Sequence, residues 1–259
     1  MAMFTSFLPI LSKGLSAPTY IYDNYDFQSY KDNEEKIDIL IIGNSHARYG
    51  VWPDVISDIT QKKATVLATG AMNLPWLYHS LEELLQYQVP EIIVVESFVY
   101  DVRAKNASFT PIARTIYGNH FLKALPALSM EMDYPQIFYA WSPLIRYHDQ
   151  WNMALDEFFN KITTDYKTTN PRINGYVYSI NTVGWNRYVD YSGTLYSARE
   201  LPQEYLEYTE KIIKLGEKFN VPVIFVKMPT VDGYGVYDEA VSNMINESDG
   251  YFYDLHTLY

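Results

Sequence analysis

Four short runs of apolar, often β-branched residues set the strongest limit on how this chain can fold. They occupy residues 37–43 (IDILIIG), 64–70 (ATVLATG), 91–97 (EIIVVES) and 221–226 (VPVIFV). Each run is apolar at nearly every position rather than at every second one, which is typical of parallel strands buried on both faces. Helical patterns separate the runs, so the sequence predicts an α/β fold with a central parallel sheet.

The segments between the runs carry the periodicity of helices. Residues 73–87 place leucines on one helical face, and Pro75 stands near the start, where a helix tolerates proline. Leu201-Pro202 opens a second helix that reaches Phe219. Shorter helices are expected from residue 52 and over residues 236–247, and a fifth strand over residues 250–255 (GYFYDL).

The rest of the chain is polar or aromatic. Residues 1–36 are predicted to be an N-terminal lead-in, and residues 37–259 the α/β domain. Residues 101–200 are expected to form a long aromatic-rich insertion over the sheet edge rather than a separate globular unit. Two interpretations of its rings stay open: they build a satellite core, or some face sugars. The tryptophans concerned are Trp141, Trp151 and Trp185.

Composition excludes several classes of function. The 259 residues include 20 Lys and Arg against 31 Asp and Glu, which gives a formal charge of −11. Nucleic-acid partners are therefore not expected, because phosphate binding needs clustered cations. Without cysteine there is no disulfide, thiolate metal site or cysteine nucleophile. No histidine pair has metal-ligand spacing and no glycine-rich phosphate loop occurs, so no metal and no cofactor are predicted.

The N-terminus contains one apolar stretch, Met3–Leu11. It is shorter than the roughly 20 residues that span a bilayer, and it lacks the basic segment and cleavage site of a signal peptide. It is either a core-docked first element or the remnant of a membrane anchor missing from the chain. We expect the chain as given to be soluble.

The strongest local signal for chemistry is the sequence Gly43-Asn44-Ser45-His46-Ala47. It stands where the first strand ends and a helix begins, and ligands of open α/β sheets collect at the carboxyl ends of strands. A serine there lies near helix N–H groups that favour a developing oxyanion. The alternative is that Asn44 or Ser45 caps the helix. His46 is expected to pack or hydrogen-bond at the turn.

Other polar residues are weaker candidates. Glu96 and Asp101 follow the third strand and are expected near Ser45, as cleft-lining groups or as caps. His148-Asp149 is a local pair in the insertion, more ordinary as a structural hydrogen bond than as part of a substrate cleft.

The segment IDILIIGNSHARYGVWP resembles the first conserved block of the SGNH (GDSL-like) hydrolase superfamily, in the style of bacterial cell-envelope members. The stretches ATGAMNLPWLYHSLEELLQYQVPEIIVVES and LEYTEKIIKLGEKFNVPVIFVKMPT resemble its later blocks, in the right order. The likeness covers about half of the chain. It implies a three-layer α/β/α, flavodoxin-like fold.

The resemblance also implies roles for individual residues. Ser45 matches the nucleophile, and the N–H of Gly70 matches an oxyanion-hole donor. The family's third donor is an asparagine, but this chain has Glu96-Ser97 at that level. Asn73 is a candidate substitute, with a helix N-cap as its alternative role.

The superfamily takes its base and orienting acid from an Asp-x-x-His sequence near the C-terminus, and this chain contains none. Asp254 and His256 are two residues apart, so on a strand they would share a face and form a candidate dyad. We expect, however, that the chain is truncated before the Asp/His block. A serine without a base would be nearly inactive.

The resemblance thus implies a serine esterase or O-acyltransferase that acts on acyl groups of a cell-envelope glycan or polymer outside the cytoplasm. The alternative is a non-catalytic envelope binding or assembly module that keeps the fold and lacks the base. A nucleotide-binding domain is disfavoured because the chain has no phosphate loop.

Overall fold

The computed structural model describes residues 27, 30–31, 36–70, 72–100, 172–173, 176–177, 201–229, 238–248 and 250–255. The chain divides into two compact units, Met1–Gln28 with Phe109–Thr169, and Ser29–Ser108 with Asn170–Tyr259. All elements below belong to the second unit. The lead-in and the insertion fall largely outside the described residues, so their boundaries stay predictions.

Five parallel strands form the main sheet. Their bounds are Ile39–Gly43 (β1), Ala64–Ala68 (β2), Ile92–Glu96 (β3), Val223–Lys227 (β6) and Tyr251–Asp254 (β7). Their order across the sheet is β2-β1-β3-β6-β7. A two-stranded antiparallel hairpin pairs Arg172–Ile173 (β4) with Tyr176–Val177 (β5). The predicted α/β class and parallel sheet are confirmed.

Helices connect the strands of the main sheet. They are Ser45–Gly50 (α1), Pro53–Thr60 (α2), Leu74–Leu84 (α3), Gln203–Phe219 (α4) and Asp238–Glu247 (α5), with a 3₁₀ turn at Ser97–Tyr100. The hairpin touches α1 through β5. The N-terminal prolines of α2 and α3 fit this position because the first helical N–H groups have no partner within the helix.

Both faces of the sheet are covered around β1. On one face Ile39 and Ile41 belong to a buried cluster that also contains Ala47 and Val51, from α1 and the residue after it. On the other face five side chains are no more than 1% exposed, namely Leu40, Ile42, Ile93, Val95 and Phe225. This two-sided burial explains why the strand sequences are apolar throughout.

Helices α3 and α4 pack against each other through aromatic side chains. The ring of Tyr78 meets that of Tyr208 edge to face, with centroids 5.7 Å apart. The ring of His79 meets the same tyrosine at 6.1 Å. Aromatic pairs in this geometry stabilise an interface beyond the area that they bury.

The segment before β1 is attached to the far end of α3. The Tyr30 hydroxyl donates to the Gln88 carbonyl at 3.2 Å, and the Gln88 amide returns a hydrogen bond to the Tyr30 carbonyl at 2.6 Å. Next to it, Lys31 Nζ lies 3.1 Å from Glu83 Oε1, and both side chains are buried. The end of the predicted lead-in therefore contributes to the packing of α3.

Among the described residues, none of the helices combines the length and the apolar character that crossing a membrane would require.

Candidate functional site

The strand order places a topological switch point at the carboxyl ends of β1 and β3. The chain leaves β1 towards β2 on one side and later returns to β3 on the other, so the two connections diverge there. Ligands of open α/β sheets bind at such a switch point. The residues at this edge are therefore the candidates for function.

Ser45 lies at this point, directly after β1 and as the first residue of α1. Asn44, not Ser45, caps the helix, because its Oδ1 accepts a hydrogen bond from the His46 backbone N–H at 2.9 Å. Ser45 is half-buried. Within the described part of the chain its hydroxyl has no hydrogen-bond partner. The capping alternative thus applies to Asn44, and the Ser45 hydroxyl is left for another role.

Gly70 and Asn73 follow the neighbouring strand, β2. Gly70 is exposed, and a Cβ added to it would meet nothing within 4 Å. Asn73 is fully buried and caps α3, with its Oδ1 accepting from the Trp76 N–H at 3.1 Å. Its Oδ1 accepts the capping hydrogen bond, and its Nδ2 is the end that could donate towards an oxyanion.

Asp254 ends β7 at one margin of the sheet. Since β3 and β6 stand between β7 and β1, the usual strand spacing puts its backbone roughly 14 Å from β1. Its register partner is Lys227, whereas Glu96 pairs with Val226, so Asp254 and Glu96 point to opposite faces. The strands do not bring Asp254 next to Ser45.

Glu96 is the acidic side chain that the fold places beside the serine turn. It ends β3, next to Gly43 of β1, and is exposed by only 1%. A Cβ on Gly43 would lie 2.8 Å from the Glu96 Cβ and 3.4 Å from its Oε2. The glutamate therefore occupies space that is open only because residue 43 is glycine. The sequence predicts Glu96 near Ser45, and the structure places it beside Gly43, two residues before the serine.

Two rings stack on each other between the residues that follow β1 and β3. The imidazole of His46 stacks on the ring of Phe98, with centroids 3.6 Å apart and planes 13° apart. Both residues are half-buried. The Phe98 backbone N–H donates to Glu96 Oε1 at 3.0 Å. His46 thus packs at the turn, as expected, but the role of Phe98 was not anticipated.

The 3₁₀ turn that carries Phe98 is anchored at its other end by Tyr100. The Tyr100 hydroxyl lies 2.7 Å from Thr209 Oγ1 in α4, and the threonine hydroxyl is itself 2.8 Å from the Tyr205 carbonyl. Because the threonine hydroxyl donates to that carbonyl, it accepts from the Tyr100 phenol. Burial raises the pKa of Tyr100. The wall of the site is therefore tied to the helical layer.

Several predicted residues lie outside the described part of the chain: Asp101, Trp141, His148, Asp149, Trp151, Trp185 and His256. Within the described part, no group of three His, Asp or Glu side chains is arranged to hold a metal ion.

No protein-family model, no curated protein and no solved structure matches the chain.

Proposed function

We propose that this chain is an SGNH-like serine esterase or O-acyltransferase with Ser45 as its nucleophile. The observation that carries the proposal is the place of Ser45, which follows β1 at the switch point with a hydroxyl that does not cap the helix. A nucleophile must reach solvent and substrate, and this edge of an α/β sheet is where ligands bind.

The strand order supports the finer fold assignment. When only the strands of the main sheet are numbered, β6 and β7 become the fourth and fifth strands. The order is then 2-1-3-4-5, which is that of flavodoxin-like sheets. We propose a three-layer α/β/α domain of this kind, with residues 101–200 as an aromatic-rich insertion.

The proposed reaction begins when Ser45 Oγ attacks the carbonyl carbon of an acyl ester. A base removes the hydroxyl proton, and the carbonyl oxygen becomes an oxyanion that the backbone N–H groups of Ser45 and Gly70 stabilise. Collapse of this intermediate expels the alcohol, which takes up a proton, and leaves an acyl-enzyme. Water or a sugar hydroxyl then accepts the acyl group. His256 remains the candidate base, and Asp254, which does not itself lie next to Ser45, remains the candidate acid that would orient it.

The proposed substrate is an acylated glycan or cell-wall polymer, handled outside the cytoplasm at the cell envelope. Support comes from the resemblance of the serine block to envelope enzymes and from the composition, with 25 tyrosines and a formal charge of −11.

A second candidate is a non-catalytic envelope module that binds acylated polymers. It is favoured by one observation: no described residue hydrogen-bonds to the Ser45 hydroxyl, so the described residues supply no base in contact with it. Serine becomes a nucleophile only beside a general base.

A fluorophosphonate probe separates the two candidates. We expect the purified chain to be labelled, Ser45→Ala to abolish labelling, and Ser97→Ala to leave it intact, since Ser97 is a buried serine at the end of the neighbouring strand. Absence of labelling in folded protein would refute the esterase and favour the binding module. Labelling that persists in Ser45→Ala would refute the choice of nucleophile.

A further inference from the structure

The carboxyl ends of β1 and β3 are built in the same way. Asn44 follows β1 and Glu96 ends β3, and each side chain is only 1% exposed. Each accepts a hydrogen bond from the backbone N–H two residues later, Asn44 from His46 at 2.9 Å and Glu96 from Phe98 at 3.0 Å. Two buried acceptors thus fix the backbone of two residues, and those residues stack their rings on each other.

Burying an acidic side chain at such a place is energetically unfavourable. A buried carboxylate loses its hydration, and burial is tolerated when hydrogen bonds compensate for that loss. A simple turn after a strand does not require a charge. Here the Glu96 Oε2 lies 3.4 Å from the position that a Gly43 Cβ would take, and the Ala47 Cβ lies 3.0 Å from the same position. Glu96 therefore links the turn after β3 to the residues on either side of Ser45.

We propose that Glu96 is a positioning residue of the Ser45 site. Its carboxylate holds the Phe98 backbone, Phe98 holds the imidazole of His46 by stacking, and His46 is bonded directly to Ser45. The effect of Glu96 on the reactivity of Ser45 rests on the proposed function. The contacts from Glu96 through Phe98 to His46 do not depend on that function and are tested separately.

The role follows from how sharply reactivity depends on placement. The Ser45 N–H and hydroxyl must both face the same carbonyl group, and displacement of such groups by about 1 Å can cost roughly a hundredfold in rate. Without the Glu96 acceptor, the turn at 97–100 keeps its anchor at Tyr100 but loses the one at its start. His46 then loses its stacking contact with Phe98, whereas the Asn44 cap on the turn 44–46 stays in place.

Two substitutions at Glu96 separate its acceptor from its charge. Glu96→Gln keeps an oxygen that can accept from the Phe98 N–H, whereas Glu96→Ala removes it. Glu91→Ala is the matched control, because Glu91 precedes the same strand at its opposite end and is exposed. Circular dichroism and thermal unfolding report whether each variant is folded.

The first readout is the NMR signal of the His46 imidazole protons, assigned with a His46→Gln variant. Stacking on Phe98 shifts these signals upfield through the ring current. We expect the shift to persist in Glu96→Gln and Glu91→Ala and to collapse in Glu96→Ala. An unchanged His46 signal in folded Glu96→Ala would overturn the network, whether or not the protein is an enzyme.

The second readout is the rate of labelling by the fluorophosphonate probe. We expect Glu96→Gln to stay close to the parent protein and Glu96→Ala to fall about tenfold or more, as misplacement of the nucleophile requires. A parent protein that is never labelled refutes the proposed function and leaves the NMR result standing. Labelling that is equal in both Glu96 variants refutes the positioning role.

If Glu96→Ala does not fold, Phe98→Leu replaces it. This variant keeps the backbone N–H that Glu96 binds and removes only the aromatic ring. We expect loss of the His46 ring-current shift together with slower labelling. Loss of the shift with an unchanged labelling rate would overturn the positioning role.

Discussion

Gly43→Ala is the substitution whose effect the structure defines most closely. The new methyl carbon would lie 2.8 Å from the Glu96 Cβ and 3.0 Å from the Ala47 Cβ. Carbon atoms in contact prefer about 3.5–4.0 Å, so β1, β3 or α1 must move by roughly 0.7 Å. The neighbours are Cβ atoms tied to a strand and a helix, and a rotamer change cannot move them. Overpacking of this kind costs about 1–3 kcal/mol.

Thermal unfolding measures this cost. For domains of comparable size each kcal/mol lowers the midpoint by about 2–4 °C, so we expect a decrease of about 2–12 °C. Gly50→Ala is the control, since a Cβ there meets nothing within 4 Å, and its midpoint should barely change. If the unfolding midpoint of Gly43→Ala is no lower than that of Gly50→Ala, the close contact between Gly43 and Glu96 is refuted. We also expect slower fluorophosphonate labelling, because the strain falls on the turn that holds Ser45.

Three further substitutions test other parts of the structure. Glu83→Gln removes the carboxylate from the buried pair with Lys31 and should lower the free energy of urea unfolding by about 3–5 kcal/mol. Glu210→Gln, in an exposed pair, should change it by less than about 1 kcal/mol. Burial lowers the pKa of His79, so the unfolded chain binds a proton at this histidine at a higher pH than the folded chain does, and stability should fall as the pH drops through about 6.5. His79→Gln should flatten this pH dependence of stability, and an unchanged slope would contradict the role of His79. Asn73→Ser keeps a capping oxygen and should retain most of the stability of the protein. A large loss of fluorophosphonate labelling in this variant would then assign the Asn73 amide to the oxyanion hole. An unchanged labelling rate would leave Asn73 as a helix cap.

The strands could be predicted because burial on both faces leaves a direct mark on the sequence. β1 and β3 lie inside the predicted apolar runs, and β7 lies inside the run predicted at residues 250–255. Element ends were less exact. The helix predicted over 73–87 ends at Leu84, because the next turn tightens to bonds from Gln86 to Glu83 and from Tyr87 to Leu84.

The site could be predicted only in part. A glycine-ended strand followed by Asn44-Ser45 marks the edge where ligands bind, and the structure places Ser45 there. The stacking of His46 on Phe98 could not be foreseen, because it requires β1 and β3 to be neighbours while their sequences stand far apart. One signal was available in the sequence: Glu96 is an acidic residue at the end of an otherwise apolar run that is predicted to be buried, and acidic residues are rarely buried unless they are paired.

The two ends of the sheet differ in how they hold charge, and this difference argues for a site at the carboxyl end. Before β3, Glu91 meets Lys62 and Lys36 on the surface, where all three side chains are about half exposed. Such pairs are screened by salt and contribute little, so we expect Glu91→Gln to leave the unfolding midpoint nearly unchanged in 0.5 M salt. After β3, Glu96 is buried against Gly43 with a backbone N–H as its partner. The acidic side chain at one end of the sheet is thus paired in solvent, whereas the one at the other end is buried beside the serine turn, where its Oε1 accepts the hydrogen bond that holds that turn in place.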